Sequence, residues 1–251
     1  AFTSPAETNE KTPTTVKKGE VIKTKPRAGS GQFSLFDAPQ EEASLAIQEN
    51  RANIKSVAHF YQFIETDFAL DLFVKQLLQQ TSVCFDTETT GLNALTAKLV
   101  GIAFSWEAHK GFYVPFPEDT SEAQERIEKL RPFFEDISIE KIGQNLKYDL
   151  KVLDKYKLSV KGPLFDTMIA HYLINPDMRH NMTILSETYL NYAPVPIEDL
   201  IGKKGKNQKS MREVSLGDIT EYAVEDADIT YQLAQHFKNE MSEANTTSLF
   251  N

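Results

Sequence analysis

Residues 82–91 read Ser-Val-Cys-Phe-Asp-Thr-Glu-Thr-Thr-Gly, a short apolar run that ends in two carboxylates and a turn. The apolar residues and the threonines are typical of a buried strand. Side chains two residues apart on a strand point to the same face, so Asp86 and Glu88 are predicted to lie side by side. Carboxylates held that close repel one another unless a proton or a cation lies between them. Acidic residues at strand ends often simply face water, but this pair is also a candidate ligand set for Mg²⁺.

The composition is that of a chain with a real hydrophobic core. It has 251 residues, of which 41% are hydrophobic, enough for one large domain or a domain plus a tail. The formal net charge of −9 argues against a protein whose whole surface binds nucleic acid. A nuclease that binds through metals and a local basic patch remains open.

Cysteine usage and hydropathy indicate a cytoplasmic protein. Cys84 is the single cysteine, which excludes an internal disulfide framework and favours a reducing compartment. No apolar stretch approaches membrane-spanning length, and the N-terminus lacks a signal-peptide pattern, so we expect no membrane partner. A start at Ala1 rather than Met predicts an excised fragment or a processed product.

Residues 1–54 differ from the rest of the chain. They are rich in Pro, Thr, Ser, Glu and Lys, and such a segment is predicted to be a flexible, disordered or extended linker. Within it, Gln32-Phe33-Ser34-Leu35-Phe36 resembles the peptide by which replication and repair proteins bind the bacterial sliding clamp. The alternative is a hydrophobic patch that packs on its own domain.

Hydrophobic periodicity predicts a sheet followed by helices that alternate with short strands. We expect strands at 60–66, 82–89, 99–106 and 111–116, with a hairpin at 107–110, and therefore an antiparallel meander. A helix at 67–80 should begin at Thr66 or Asp67 and use its apolar residues from Phe68 onward. Further strands are predicted at 141–143 and 164–165. Later helices should begin at the caps Ser121, Asn145, Asp166 or Thr167, and Ser215. This pattern predicts a mixed sheet with helices on its faces.

Other polar groups could complete a metal site. Asn145 and Asp149 lie four residues apart on a predicted helix, as do Tyr222 and Asp226, so each pair shares a helix face. A basic loop at 202–209 carries four lysines. Taken singly, each group has an ordinary explanation as a solvated carboxylate, an interface aromatic or a solvated loop.

Taken together and in order, these motifs resemble the proofreading 3′–5′ exonuclease domain of bacterial family A DNA polymerases. The resemblance covers residues 55–242 and includes Gly143-Gln144-Asn145-Leu146-Lys147-Tyr148-Asp149. It implies an α/β, RNase H-like (DnaQ-like) mixed sheet flanked by helices. It also implies a DNA 3′ end as substrate and a polymerase domain in cis, to which residues 243–251 would connect.

The resemblance further implies two divalent cations, Mg²⁺ with Mn²⁺ or Zn²⁺ as substitutes. Asp86 would bridge them, Glu88 and Asp226 would bind the tighter one, and Asp149 would bind the looser one. Tyr222 would orient the attacking water with help from Glu88. Residue 221, a histidine in some relatives, is Glu here, which indicates the tyrosine subclass.

Substrate contacts follow from the resemblance residue by residue. The matching positions near the terminal base, sugar and phosphates are Leu92, Gln144, Asn145 and Tyr148. Ile197 stands where the family can place an aromatic, so stacking on the next base should be weaker. Asp166, Asp228 and His180 are expected to be structural.

Two alternatives remain. The first is a catalytically inert module that braces a polymerase; the retention of all the carboxylates and of Tyr222 argues against it. The second is an RNA 3′-exonuclease of the RNase D type, which shares the tyrosine-class motifs. The loop Gly205-Lys206-Asn207-Gln208 and the C-terminal Leu249-Phe250 favour the polymerase relative.

Overall fold

The computed structural model describes residues 51–243 and Phe250. Most of the predicted linker, including the clamp-like peptide 32–36, lies outside the described residues, as do 244–249 and residue 251. Within the described part, six strands form one sheet in the order β1-β4-β3-β2-β5-β6. The strands are β1 (Phe60–Phe63), β2 (Ser82–Thr89), β3 (Leu99–Glu107), β4 (Lys110–Pro115), β5 (Glu140–Gly143) and β6 (Leu164–Asp166).

The sheet is mixed, as predicted, but its first strand is placed differently. Strands β2, β3 and β4 form the expected antiparallel meander, and Glu107 pairs with Lys110 at the tight hairpin. Strands β5 and β6 extend the sheet in parallel beyond β2. The prediction that β1 belongs to the meander is wrong, because β1 pairs in parallel with β4 at the opposite edge. A strand's pairing partner is a tertiary choice that local alternation does not encode.

Seven α-helices complete the described fold. They are α1 (Asp67–Leu77), α2 (Thr120–Phe134), α3 (Leu146–Asp154), α4 (Thr167–Ile174), α5 (Met182–Leu185), α6 (Ile197–Ile201) and α7 (Leu216–Glu243). A π-helical turn, Ser186–Leu190, follows α5, and a short 3₁₀ turn, Met211–Glu213, precedes α7. None of the helices in residues 51–243 is both long and apolar enough to cross a bilayer.

The helices cover both faces of the sheet, which confirms the predicted layering. Phe85 of β2 belongs to a core that includes buried residues of α1, α2 and α3. Cys84, the neighbour of Phe85, points the other way into a core formed with α4 and α7. Strand alternation therefore divides β2 between two apolar layers. On α1 the core-facing side is narrower than predicted, since Phe68 is 75% exposed and Leu72 is 46% exposed.

The helix caps are partly as predicted. The Thr66 hydroxyl accepts from the Ala69 N–H at the start of α1. Helix α2 is capped by Asp119 rather than Ser121, because the Asp119 carboxylate accepts from the backbone N–H groups of the first turn. Asn145 does precede α3, but its backbone is left-handed, with φ of 61°, and its side chain makes no capping hydrogen bond.

Asp166 caps two helices at once, and this is why Asn145 is not needed as a cap. Its carboxylate accepts from Met168 N–H at 2.9 Å at the start of α4. The same carboxylate accepts from Asn145 N–H at 3.1 Å and Leu146 N–H at 2.8 Å at the start of α3. One buried side chain therefore fixes the positions of both helices relative to the end of β6, which confirms the expected structural role of Asp166.

We predict that Asp166→Ala lowers the free energy of unfolding by about 2–3 kcal/mol, because it removes the acceptor for two helix ends together. Urea denaturation followed by circular dichroism measures the effect. Asp119→Ala, which removes a single cap, is the matched control and should cost about 1 kcal/mol. Equal losses in the two variants would show that Asp166 serves only one helix.

Candidate active site

The end of β2 places two carboxylates on one face of the sheet. Asp86 lies opposite Ala103 of β3, and Glu88 lies opposite Gly101. Cross-strand partners share a face, so the acidic pair stands beside the two smallest side chains available. Glu88 is 7% exposed and Asp86 is partly buried. The prediction that strand alternation brings these two residues together holds.

Helix α3 brings in Asp149, which is only 3% exposed. Its Oδ1 accepts from the Thr87 backbone N–H at 3.0 Å and from the Thr87 hydroxyl at 2.5 Å. Thr87, between the two acidic residues of β2, thus anchors the third carboxylate to the same strand end. Sequence reasoning had given Thr87 no role beyond its strand preference. The sequence signal for a role of Thr87 in the site was its position between two acidic residues, where a hydrogen-bond donor is needed.

Helix α7 supplies Asp226 and Tyr222. The charge of Asp226 acts on the Tyr222 hydroxyl, as their spacing of one helical turn allows. The helix lies very close to the sheet, since a Cβ placed on Gly111 would be 2.5 Å from Val224 Cγ1. The absence of a side chain at Gly111 therefore allows α7 to pack this closely against the sheet.

Buried acids on the neighbouring faces of α7 fix its orientation. Asp228 accepts from the Tyr61 hydroxyl at 2.7 Å and from the His109 N–H at 2.9 Å, as its expected structural role requires. Glu225 accepts from the Tyr192 hydroxyl at 2.6 Å. Sequence reasoning had missed Glu225, although its place beside Asp226 on a mostly buried helix called for a hydrogen-bond partner.

The carboxylates act on one another electrostatically. Burial, followed by the charges of Asp86, Asp226 and Asp149, holds the pKa of Glu88 well above its ordinary value. Burial and the charge of Asp86 likewise raise the pKa of Asp149 and of Asp226. Burial raises the pKa of Asp86 itself from 3.8 to about 6. No ion pair in the described part of the chain involves any of the four, so their charge is uncompensated.

The donor set fits hard divalent cations, which take carboxylate oxygens. The cage is not preformed, because no three His, Cys, Asp or Glu side chains within residues 51–243 converge closely enough to hold one ion. Thr87 holds one oxygen of Asp149, and the second oxygen of that carboxylate remains a potential ligand. A bound cation would relieve the repulsion among the four carboxylates.

A hollow of about 400 Å³ opens beside Glu88, which lines it, whereas Asp86, Asp149 and Asp226 do not. Glu88, Leu92, Tyr148 and Ile197 are among its lining residues. Leu92 is 93% exposed, as a residue that meets a ligand rather than the core would be. The Tyr148 hydroxyl donates to the Gly91 carbonyl at 2.6 Å, which ties the turn after β2 to helix α3.

The four predicted substrate residues are only partly brought together. A second hollow, of about 490 Å³, is lined by Asn145 as well as by Leu92 and Tyr148. Gln144 lines neither hollow, because its side-chain amide donates to the His180 carbonyl at 2.7 Å and its oxygen accepts from Thr167. His180 is not isolated, since its Nδ1 lies 2.6 Å from Nδ1 of His171.

The basic loop contributes to the first hollow. Lys204, Gln208 and Lys209 are among its lining residues, and both lysines are exposed. Exposed cationic side chains at the hollow suit a polyanionic ligand.

Comparison with known proteins gives a consistent result. A family model described as 3′–5′ exonuclease matches residues 61–242. The DNA polymerase I of Borreliella burgdorferi is 33% identical over 230 residues, which cover 90% of this chain and 24% of that protein. The chain spans between 20% and 25% of the length of the first curated relatives it matches.

Solved structures show the same fold at lower identity. Escherichia coli RNase D is 20% identical, with a TM-score of 0.58 over 74% of this chain and 46% of that one. A Brucella melitensis NrnC structure with bound Mg²⁺ is 20% identical, with a TM-score of 0.56 over 77% of this chain and 86% of that one. These likenesses show that the sheet and its helices form the predicted RNase H-like exonuclease fold.

The burial of the Asp86 carboxyl predicts an unusual pH dependence of stability. The folded-state pKa of Asp86, about 6, is above its ordinary 3.8, so the fold binds this proton more tightly than the unfolded chain. Stability from this group is therefore present below about pH 4 and is lost as the pH rises through about 6. In EDTA at about pH 8, Asp86→Asn should raise the free energy of unfolding by about 1–3 kcal/mol.

Thermal unfolding at two pH values tests this prediction. The gain from Asp86→Asn should disappear at about pH 4, where the carboxyl of the wild type is protonated. The matched control is Glu125→Gln on the exposed face of α2, which should change stability by less than about 0.5 kcal/mol at either pH. A destabilised Asp86→Asn variant at high pH would contradict the cost assigned to burying the charged carboxylate of Asp86.

Proposed function

Because the chain belongs to the 3′–5′ exonuclease family, we propose that it is the proofreading module of a bacterial DNA polymerase I. Its reaction would be divalent-metal-dependent removal of nucleotides from DNA 3′ ends. The observation that carries this proposal is the proximity of Asp86, Glu88, Asp149 and Asp226, whose charges act on one another and of which Glu88 lines an open hollow.

The proposed reaction is hydrolysis of the terminal phosphodiester. A water oxygen forms a bond to phosphorus, and the bond from phosphorus to the 3′ oxygen of the penultimate nucleotide breaks in line. The products are a deoxynucleoside 5′-monophosphate and a shortened strand with a free 3′ hydroxyl. Two divalent cations held by the four carboxylates would activate the water and neutralise the charge that develops on the phosphate and leaving oxygen.

Tyr222 would orient the attacking water. Burial and the charge of Asp226 hold the pKa of Tyr222 well above its ordinary value, so the hydroxyl keeps its proton. The charges of Glu88 and Asp86 also act on it, which places the hydroxyl among the carboxylates. A protonated hydroxyl beside Asp226 retains lone pairs that can accept a hydrogen bond from water.

The hollows suit a single-stranded or frayed end. Leu92 and Tyr148 line both of them and so stand between them, where they can separate the terminal base from the next one. Ile197 offers an apolar side chain, without the stacking surface of an aromatic ring. A paired duplex end would have to unpair before its last nucleotide could reach Leu92 and Tyr148.

The neighbouring domain, the cellular location and the possible partner of the module are part of the same proposal. The DNA polymerases I of several bacteria are among its relatives, which supports a polymerase domain in cis. The single, fully buried Cys84 is consistent with a bacterial cytoplasmic location. Docking of Gln32–Phe36 on a sliding clamp remains a proposal from sequence, since the peptide lies outside the described residues.

Activity is tested with matched helix variants. Asp149→Asn should reduce Mg²⁺-dependent trimming of a single-stranded DNA oligonucleotide by more than about 10³-fold, the scale of losing one charged catalytic group. It keeps an oxygen to accept from Thr87, so the fold should be retained. Asp154→Asn, on the exposed side of the same helix, should trim at the wild-type rate. Undiminished trimming by Asp149→Asn would refute the assignment of the site.

The preference for DNA over RNA is tested by a parallel trimming assay on a matched RNA oligonucleotide. The proposed function predicts faster trimming of DNA. Preference for RNA would favour a nuclease of the RNase D type, and no Mg²⁺-dependent trimming of either polymer would favour an inert module.

The basic loop predicts a salt dependence. Lys204 and Lys209 line the hollow and should contact backbone phosphates, each adding about 0.7 to the slope of log affinity against log salt for single strands. Fluorescence anisotropy of labelled DNA in Ca²⁺, or with the Asp149→Asn protein, isolates binding from cleavage. Lys204→Ala with Lys209→Ala should lower the slope by about 1.4. Lys75→Ala, on α1, should leave it unchanged.

A further inference from the structure

Tyr113 of β4 carries a buried hydroxyl that the proposed chemistry does not use. The side chain is 1% exposed, and its oxygen has no hydrogen-bond partner. An unpaired buried hydroxyl is costly, so its presence in the floor of a functional site calls for an explanation.

The hydroxyl lies over Gly101, the cross-strand partner of Glu88. A Cβ built on Gly101 would be 2.0 Å from the Tyr113 oxygen, so any other residue there would displace the ring. Gly101 pairs directly with Glu88. Cβ positions of such pairs are about 4.5–5.5 Å apart. The Tyr113 oxygen therefore occupies the place of the missing Gly101 side chain, within reach of the Glu88 carboxylate.

The strand register puts both groups on the same face. Tyr113 lies opposite Ala103, which lies opposite Asp86, and the three side chains form one row across the sheet. The ring leans from that row into the adjacent one, which holds Glu88 and Gly101. The charge of Glu88 acts on the hydroxyl more strongly than those of Arg212 and Asp86, which agrees with this placement. Burial raises the pKa of Tyr113, so the group is a donor.

We propose that Tyr113 is a positioning residue whose hydroxyl donates a hydrogen bond to the carboxylate of Glu88 when the site binds divalent metal. One Glu88 oxygen is then held by the sheet, and the other is directed toward the ion and the attacking water. This role explains why the buried Tyr113 hydroxyl has no other hydrogen-bond partner. The inference rests on the proposed function, because it assumes that Glu88 is a metal ligand.

Tyr113→Phe tests the inference, since it removes only the oxygen. Calorimetric titration with Mn²⁺ in the presence of deoxythymidine monophosphate should show at least about tenfold weaker metal binding, as expected for loss of a hydrogen bond to a charged group. Thermal unfolding in EDTA should show no loss of stability, because the hydroxyl has no partner to lose. Tyr156→Phe is the matched control: its hydroxyl accepts from the Leu99 N–H at 3.1 Å, so stability should fall while Mn²⁺ affinity is retained.

A double-mutant comparison separates positioning from packing. With Glu88→Gln in the background, Tyr113→Phe should have no further effect on Mn²⁺ affinity. Unchanged Mn²⁺ affinity in Tyr113→Phe, or a fall in melting temperature like that of Tyr156→Phe, would overturn the inference. The proposed function would still stand in that case if the wild-type protein binds Mn²⁺ and trims DNA. Failure of the wild type to bind Mn²⁺ or to trim DNA would instead reject the proposed function, and the inference with it.

Discussion

Repulsion among buried carboxylates is the constraint on which the rest of this structure depends. Asp86, Glu88, Asp149 and Asp226 come from three separate elements, and no cationic side chain of the described residues pairs with them. Left to themselves, such groups would move apart or take up protons. The fold holds them near one another all the same, and the stability this costs has to come from contacts elsewhere.

Those contacts are found around the site. Asp166 anchors the start of α3, which carries Asp149, and Thr87 secures the Asp149 carboxylate to β2. Helix α7 is held against the sheet at Gly111 and is oriented by hydrogen bonds to Asp228. Each of the four carboxylates thus comes from an element whose own position is fixed by apolar packing and backbone hydrogen bonds. Catalytic precision of the kind proposed here requires support of that sort.

The local part of this arrangement could be predicted from the sequence. Strand alternation predicted the Asp86–Glu88 pair, and helical spacing predicted that Tyr222 and Asp226 share a face. The parallel pairing of β1 with β4 could not be predicted, because it depends on which sheet edge is free once the meander has formed. The double cap by Asp166 was equally hidden, since the residues it joins are about twenty positions apart. Features that depend on contacts between distant segments need the assembled fold.

Crystals soaked with Mn²⁺ and deoxythymidine monophosphate give the most direct test of the central claim, through the anomalous scattering of the metal. The account predicts two peaks about 4 Å apart between Asp86, Glu88, Asp149 and Asp226, with the nucleotide phosphate beside them. An empty cleft at saturating Mn²⁺, or metal bound away from these carboxylates, would contradict it.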